Sequence, residues 1–252
     1  MPKISIVIIT KNEEKNIPRC LESVKELSDE ILVVDDHSTD RTAEICRSSG
    51  CRVILHSFEG FSRQKQFAVD QAANDWIFSL DADEMITPEL SKEIRNLFSQ
   101  DEVPDAGYRI PFSLFYMGRI LKHSGTGRES HLRLFDRRRG GFTDVTVHEG
   151  IEVKGPVKTL KGKIIHYSYR DLSHHLQKIN TYTSDAAEGY FSKGKRFSKC
   201  RVAWKFPVGF FIFYILKGGI LDGYPGFLWS FMAAFYGSVK IAKTIEKQEA
   251  TE

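Results

Sequence analysis

The sequence predicts an α/β protein: a parallel, doubly wound sheet followed by a helical carboxyl-terminal region. Three observations carry this. Short β-branched runs recur through the first eighty residues, helical spacings separate them, and the strand ends collect acidic and polar residues. Ile4-Ser5-Ile6-Val7-Ile8-Ile9 lacks polar alternation, as a strand covered on both faces does. Ile17, Leu21 and Val24 then recur at helical spacing within residues 12–27. Glu30-Ile31-Leu32-Val33-Val34 is a second strand, ending in Asp35-Asp36. Ser38-Thr39-Asp40 offers a cap to a helix over 42–49, and Gly50 closes it. A short strand over 51–56, a helix over 62–73 and a fourth strand over 76–80 complete a βαβαβαβ order.

The strand ends carry the chemistry. Open α/β sheets bind ligands at the carboxyl edge of their strands. Three ends bear polar or acidic residues: Thr10-Lys11-Asn12-Glu13, Asp35-Asp36 and Asp81-Ala82-Asp83. Carboxylates suit Mg²⁺ or Mn²⁺, which in turn hold phosphates. A second reading stands beside this one, because Thr87-Pro88-Glu89 reads as a helix cap with Pro in the first turn, fed by an acidic loop. An ionised carboxylate at Asp35 or Asp36 only accepts hydrogen bonds, which suits a nucleobase N–H or a ribose hydroxyl. Asp is also a common turn residue there. Lys65, early in its helix, suits a phosphate or plain solvent.

Bulk properties narrow the function classes. The chain has 252 residues, 41% hydrophobic and 27% charged, enough for one large domain with an appendage. Thirty-six basic against 33 acidic residues give a net charge of +3, which points to no nucleic-acid partner. Acids concentrate in the first half, and bases cluster over 128–139 and 193–205. Cys20, Cys46, Cys51 and Cys200 have no metal or redox spacing, so a reducing cytosol is expected. The sequence enters a strand directly, without the charged leader and apolar core of a signal peptide, so export is not expected.

Residues 108–169 change character. Short apolar runs at 108–110, 132–135, 143–147, 151–153 and 163–167 alternate with Gly and charge, as in an acceptor pocket built of short strands. Arg128, Arg133 and Arg137-Arg138-Arg139 form a basic cluster whose guanidinium forks suit a diphosphate or an acidic acceptor. A solvated basic turn suits 137–139 better than it suits Arg133, which lies in an apolar strand. A helix is expected over 171–191, with His174-His175 capping it or facing solvent. The division expected is a sheet domain over 1–170, in halves over 1–100 and 101–170, and a helical region over 171–252.

Three blocks resemble glycosyltransferase family 2: Ile4 to Glu13, Val33-Val34-Asp35-Asp36-His37-Ser38-Thr39-Asp40, and Leu80-Asp81-Ala82-Asp83-Glu84. They have the family's order and spacing. The resemblance implies the GT-A fold, a Rossmann-like, mostly parallel sheet flanked by helices, and a nucleotide-diphosphate-sugar donor. It implies that Asp36 binds the base, Asp81 the ribose region and Asp83 a Mg²⁺ or Mn²⁺ on the diphosphate. Thr10, Asn12, Glu13, Lys65 and Arg133 are expected on the substrate side. Inverting transfer needs a base for the acceptor hydroxyl. Val147-His148-Glu149 resembles the family's base site, with Glu149 as base and His148 beside the substrate. The family commonly has Glu-Asp there, so His148-Glu149 departs from it, and Asp144 is the rival base. His166, in Lys163-Ile164-Ile165-His166-Tyr167-Ser168, fits the histidine that often completes the family's metal shell, or a core histidine.

The tail raises a membrane. Apolar runs over 206–216 and 227–236 are each too short for the roughly 20 residues of a spanning helix. Basic residues over 193–205 followed by aromatic helices read as an interfacial anchor on an anionic surface; core packing or a homodimer contact is the other reading. The segment over 222–226 reads as a turn. Residues 214–227 resemble the carboxyl region of lipopolysaccharide inner-core β-glucosyltransferases of the family. That implies UDP-glucose as donor, a lipopolysaccharide-core or other lipid-linked acceptor, and a cytoplasmic location, peripheral on the inner face of the cell membrane. A polyprenyl-phosphate sugar transferase and a non-catalytic sugar-nucleotide-binding protein are the alternatives.

Overall fold

The computed structural model describes residues 2–127, 129–143 and 150–250. The chain forms two compact units, Met1–Ser113 with Arg128–Tyr167, and Leu114–Gly127 with Ser168–Glu252.

The first unit begins with β1 (Ile4–Thr10), α1 (Ile17–Val24), β2 (Glu30–Asp35), α2 (Thr42–Ser48), β3 (Arg52–Leu55), α3 (Phe61–Gln71) and β4 (Trp76–Asp81). It continues with β5 (Glu84–Ile86), α4 (Pro88–Phe98) and β6 (Gly107–Tyr116), the last of which runs on past this unit. The strands β3-β2-β1-β4 are all parallel, as the sequence predicts. Beyond β4 the sheet turns mixed. β8 (Ser130–Asp136) runs antiparallel between β4 and β6, and β12 (Ile164–His166) lies between β6 and β5. The remaining strands are β9 (Gly140–Thr143) and β10 (Gly150–Val153), which pair with each other, and β11 (Val157–Thr159), which pairs with β6.

Register levels the strand ends. Thr10 stands opposite Asp35 on one side of β1, and Ile9 opposite Asp81 on the other, so all three ends share one rim. The alternation of β1 fixes the two faces of the sheet. Ile4, Ile6 and Ile8 pack with Ile17, Leu21 and Val24 of α1 and with Leu90 and Ile94 of α4. Val7 packs with Ala68 and Val69 of α3. Cys20, Cys46 and Cys51 are buried and free, and Cys200 is exposed. Burial pushes the Cys46 thiol up to about 12 and that of Cys51 to about 11, so both behave as small apolar residues.

One local reading changes and another holds. The helix expected from residue 12 starts at Ile17, because Asn12 takes a left-handed φ of 54° and Pro18 sets the first helical turn. The cap reading at Thr87 holds: its hydroxyl accepts from the Leu90 N–H at 3.3 Å, with Pro88 in the first turn. That cap and the acidic rim coexist, one residue run serving both.

The second unit holds β7 (Arg119–Ile120), α5 (Leu172–Ser192), α6 (Lys199–Phe211), a π turn (Ile212–Leu216), a 3₁₀ turn (Gly219–Asp222) and α7 (Gly223–Glu249). Residues 222–226 are not a free turn: Gly223 (φ 64°) opens α7, and Pro225 stands in its first turn, where the N–H it lacks would have no acceptor within the helix. The capping residue of α5 is Asp171, whose carboxylate accepts from the His174 N–H at 2.7 Å. His175 does not face solvent. It is buried in a cluster with Tyr116, Tyr169 and Trp229, and its Nδ1 lies 2.9 Å from the Tyr116 hydroxyl.

Burial, with Lys178 and His174 nearby, lowers the His175 pKa from 6.5 to about 4. The folded chain therefore refuses a proton that the unfolded chain accepts between those values. Stability is expected to fall by about 3 kcal/mol as pH drops from 6.5 to 4 and to level off below. Urea unfolding across that range measures the slope, and His175→Gln flattens it if the histidine is its source. A wild-type slope matched by the variant refutes this origin.

Candidate active site

The rim of the first unit is built by three adjacent strands. After β1, the loop is stapled to the loop after β2. Asn12 donates its N–H to Ser38 Oγ at 2.8 Å and accepts from the Thr39 N–H at 2.8 Å, and Glu13 donates its N–H to Thr42 Oγ1 at 2.8 Å. The Glu13 carboxylate accepts from Asn16 at 2.7 Å. Asn12 and Glu13 thus engage the scaffold of the rim. Thr10 is buried, and its Oγ1 has no hydrogen-bond partner among the described residues.

The two acids ending β2 separate in role. Asp35 is fully buried and accepts from the Ser38 N–H at 2.8 Å and hydroxyl at 2.5 Å, closing the turn. Asp36 lies at the rim, 2.6 Å from Lys11 Nζ, and accepts from the Phe58 N–H at 3.2 Å. The Lys11 hydrogen bond holds the Asp36 carboxyl below the usual carboxylate range.

At the end of β4, Asp81 is clamped from both sides. Lys65 Nζ lies 2.8 Å from its Oδ1, and Arg133 Nη2 lies 3.2 Å from its Oδ2. The same Arg133 nitrogen lies 2.7 Å from Glu84 Oε1, while Glu84 Oε2 accepts the Asp81 N–H at 2.9 Å. Burial opposes ionisation of Asp81, but Lys65 and Arg133 outweigh it and hold its carboxyl well below the ordinary range. Glu84 goes the other way: burial and the Asp81 charge push it up, against Arg133. Arg133 also sits over the Phe112 ring, 5.2 Å from its centroid.

Asp83 stands apart from this network. Its Oδ2 lies 3.2 Å from His166 Nε2, brought near because β12 pairs antiparallel with β5, setting His166 opposite Glu84. Burial lowers the His166 pKa, and the Asp83 hydrogen bond more than reverses that. The pair fits a small divalent cation. Among the described residues no three His, Cys, Asp or Glu cluster around one point, so a divalent ion held there would have to complete its shell from other oxygens, such as those of a phosphate.

The rim therefore gathers Thr10, Asp36, Lys65, Asp81, Asp83, Arg133 and His166. Arg137-Arg138-Arg139 is not part of it. The Arg137 guanidinium donates to the carbonyls of Val69 and Ala72 at 3.0 and 2.7 Å, and that of Arg138 bonds Asp136, at the amino end of β4. Arg128, Asp144, His148 and Glu149 lie outside the described residues. Glu84 is the residue that sequence reasoning passes over. The signal is present, since an acid three residues after Asp81 in an otherwise buried run needs a cationic partner.

Residues 5–150 match the sequence profile described as glycosyl transferase family 2. The chain belongs to glycosyltransferase family 2. An uncharacterized glycosyltransferase of Rickettsia typhi is 32% identical over 98% of this chain and 88% of its own length. The lipopolysaccharide core biosynthesis glycosyltransferase LpsC of Rhizobium meliloti is 29% identical over 98% of this chain and 94% of its own. Among solved structures, the mannosyltransferase PcManGT of Pyrobaculum calidifontis, in complex with GDP-Man and Mn²⁺, superposes with a TM-score of 0.54. It is 16% identical, covering 98% of this chain and 88% of that one, and speaks for the fold. The mixed sheet with flanking helices is that of the GT-A family 2 glycosyltransferases.

Proposed function

We propose that this family 2 glycosyltransferase moves glucose from UDP-glucose, with inversion, to a hydroxyl of a lipopolysaccharide-core or similar lipid-linked acceptor at the inner face of the cell membrane. The observation that carries the reading is the rim itself: Asp36 follows the end of β2, the clamped Asp81 ends β4, and Asp83 just beyond it pairs with His166 of β12. The Rhizobium meliloti relative supports the acceptor class by its name, and the Pyrobaculum calidifontis mannosyltransferase, bound to GDP-Man and Mn²⁺, supports a nucleotide-sugar donor with a divalent metal.

In this reading Asp36 accepts from the nucleobase N–H, with Thr10 Oγ1 as a further polar contact, and Asp81 accepts from the ribose. Lys65 and Arg133 keep the Asp81 carboxylate ionised and aimed. Asp83 and His166 would hold a Mg²⁺ or Mn²⁺, whose charge would offset that of the departing diphosphate. Glu149, with Asp144 as rival, accepts the proton of the acceptor hydroxyl. The acceptor oxygen, freed of that proton, bonds to the anomeric carbon as the bond to the diphosphate breaks, and UDP leaves with the electron pair. Residues 1–100 serve the donor, 101–170 the acceptor, and 171–252 the membrane.

Purified chain, manganese, a panel of nucleotide sugars and a truncated lipopolysaccharide acceptor, read by mass spectrometry, test this. One added hexose, from UDP-glucose alone and abolished by EDTA, is the expected result. Transfer from no donor, or transfer indifferent to EDTA, overturns it. Glu149→Gln is expected to slow transfer about 10²-fold, as loss of a general base does. An unchanged rate would point to a polyprenyl-phosphate acceptor, whose anionic oxygen needs no base.

A further inference from the structure

The second unit exposes an apolar face that the chemistry at the rim does not use. Along α6 and the π turn that follows it, Trp204, Val208, Phe211 and Ile215 recur every three or four residues and are all exposed. On α7, Tyr224, Phe227, Phe231 and Phe235 do the same. Between these helices Phe206 packs edge-on against Phe231 and Phe210 against Phe227, while Gly209 lets α6 close on Ala234. The two rows therefore belong to one hairpin. Leu216 and Leu221 at its elbow are each 68% exposed, Trp204 71% and Tyr224 69%. Soluble chains rarely expose so much contiguous apolar surface without a partner.

Charge says what covers it. From Phe206 to Val239 the only charged residues are Lys217 and Asp222. Asp222 is buried, and its carboxylate accepts the N–H groups of Lys122 and His123 at 3.1 and 2.8 Å, so it adds no negative charge to the face. Cations stand at both ends. Arg201, Lys205 and Lys240 mark the open end of the hairpin, where the Lys205 chain lies along Gly237. Lys217 marks the elbow, with Arg119 and Lys122 beside it on the segment held to Asp222. An apolar face framed by cations and free of acids is complementary to an anionic lipid leaflet.

The two sets of cations also fix the orientation. Among the described residues no single helix is long and apolar enough to span; α6 with its π turn and the following helix pass only together, bent by 68°. Trp204 to Leu216 covers about 18 Å, more than half of a hydrocarbon core of about 30 Å. An elbow-first insertion would carry Arg119, Lys122 and Lys217 to mid-bilayer, where cations are costly. Lying lengthwise keeps both sets among the headgroups while the aromatic rows enter the acyl boundary.

We propose that this hairpin face docks lengthwise and shallowly on an anionic phospholipid leaflet. The proposal deepens the membrane-peripheral part of the reading above and adds the face, its orientation and the lipid charge; it does not depend on the donor or on turnover. Single cysteines at Val208, Leu216 and Leu221, in a Cys200→Ser background, carry a fluorescent label. The other three cysteines are buried. Flotation uses phosphatidylcholine vesicles with and without phosphatidylglycerol, and brominated lipids report depth by quenching.

Binding only with phosphatidylglycerol, and equal shallow depth for the three labels, is the expected result. Depth increasing from residue 208 to 221 overturns the orientation. Labels left in water, or a stable dimer that ignores vesicles, overturns the docking and assigns the face to a second copy. Leu216→Glu with Leu221→Glu, both exposed and so compatible with folding, is expected to weaken vesicle affinity at least ~10-fold. Circular dichroism checks the fold. Vesicle binding without glycosyl transfer would leave this proposal standing and remove only the enzymatic reading.

Discussion

Asp83→Asn is expected to reduce glycosyl transfer about 10³-fold, the equivalent of about 4 kcal/mol of transition-state stabilisation. The substitution keeps the shape of the side chain and removes its charge. Asp83 lies at the rim, with His166 Nε2 at 3.2 Å, so the fold should tolerate the amide. What should fail is retention of the cation on the diphosphate. The matching readout is thermal stabilisation by UDP with manganese, since a ligand that binds only the folded chain raises its stability by mass action. The wild type should show a rise that EDTA removes, and the variant should show little with or without EDTA. A variant that transfers sugar within tenfold of the wild type would exclude Asp83 as a metal ligand. Asp81→Asn should behave differently. Asp81 is held between Lys65 and Arg133, and its loss would disturb protein stability as well as donor binding.

That contrast between two acids in one short motif shows what the sequence makes legible. The apolar runs of β1, β2 and β4 predict their own strands, because a parallel strand covered on both faces must be apolar throughout. Once those strands are parallel, register brings Thr10, Asp35 and Asp81 to a common level, so the rim is readable from the sequence. The partners across the rim are less so. Lys65 precedes Asp81 by a helix and a strand, and nothing local says that its ammonium turns inward. Arg133 comes from β8, which enters the sheet antiparallel between β4 and β6, and long-range pairing of that kind leaves no trace in a run of seven residues. The same holds for His166, whose meeting with Asp83 depends on β12 pairing with β5. His175 escapes a sequence reading for a related reason. Two adjacent histidines in a first helical turn look like a cap, and only the packing of Tyr116 and Trp229 around the second shows it to be core. The tail is legible in composition and not in shape, since Gly223-Tyr224-Pro225 reads as a turn until Pro225 is seen in the first turn of a long helix.

Arg133→Met tests the inward-turned network, and its expected cost is about 3–5 kcal/mol of folding stability, as when one partner of a buried ion pair is removed. The methionine fills the space beside Phe112 but leaves Glu84, 1% exposed at its side chain, without its cation. Lys65 still partners Asp81, so the uncompensated charge falls chiefly on Glu84. The pH dependence follows from that. Burial already raises the Glu84 pKa in the folded chain. An acid raised on folding holds a proton that the unfolded chain has released, so stability falls as pH rises through that range. Removing Arg133 takes away the group that opposes the rise. The gap between wild type and variant should therefore be widest at alkaline pH and narrow as the solution is made acidic enough to protonate Glu84. Urea unfolding at several pH values reads the gap directly. Glu84→Gln added to Arg133→Met should recover much of the loss at alkaline pH, because a neutral amide can stay buried without a cation, whereas Glu84→Gln alone removes a carboxylate that Arg133 still needs. A gap that is constant with pH, or a double variant no more stable than Arg133→Met, would mean that the arginine acts through packing on Phe112 and not through the charge it places between Asp81 and Glu84.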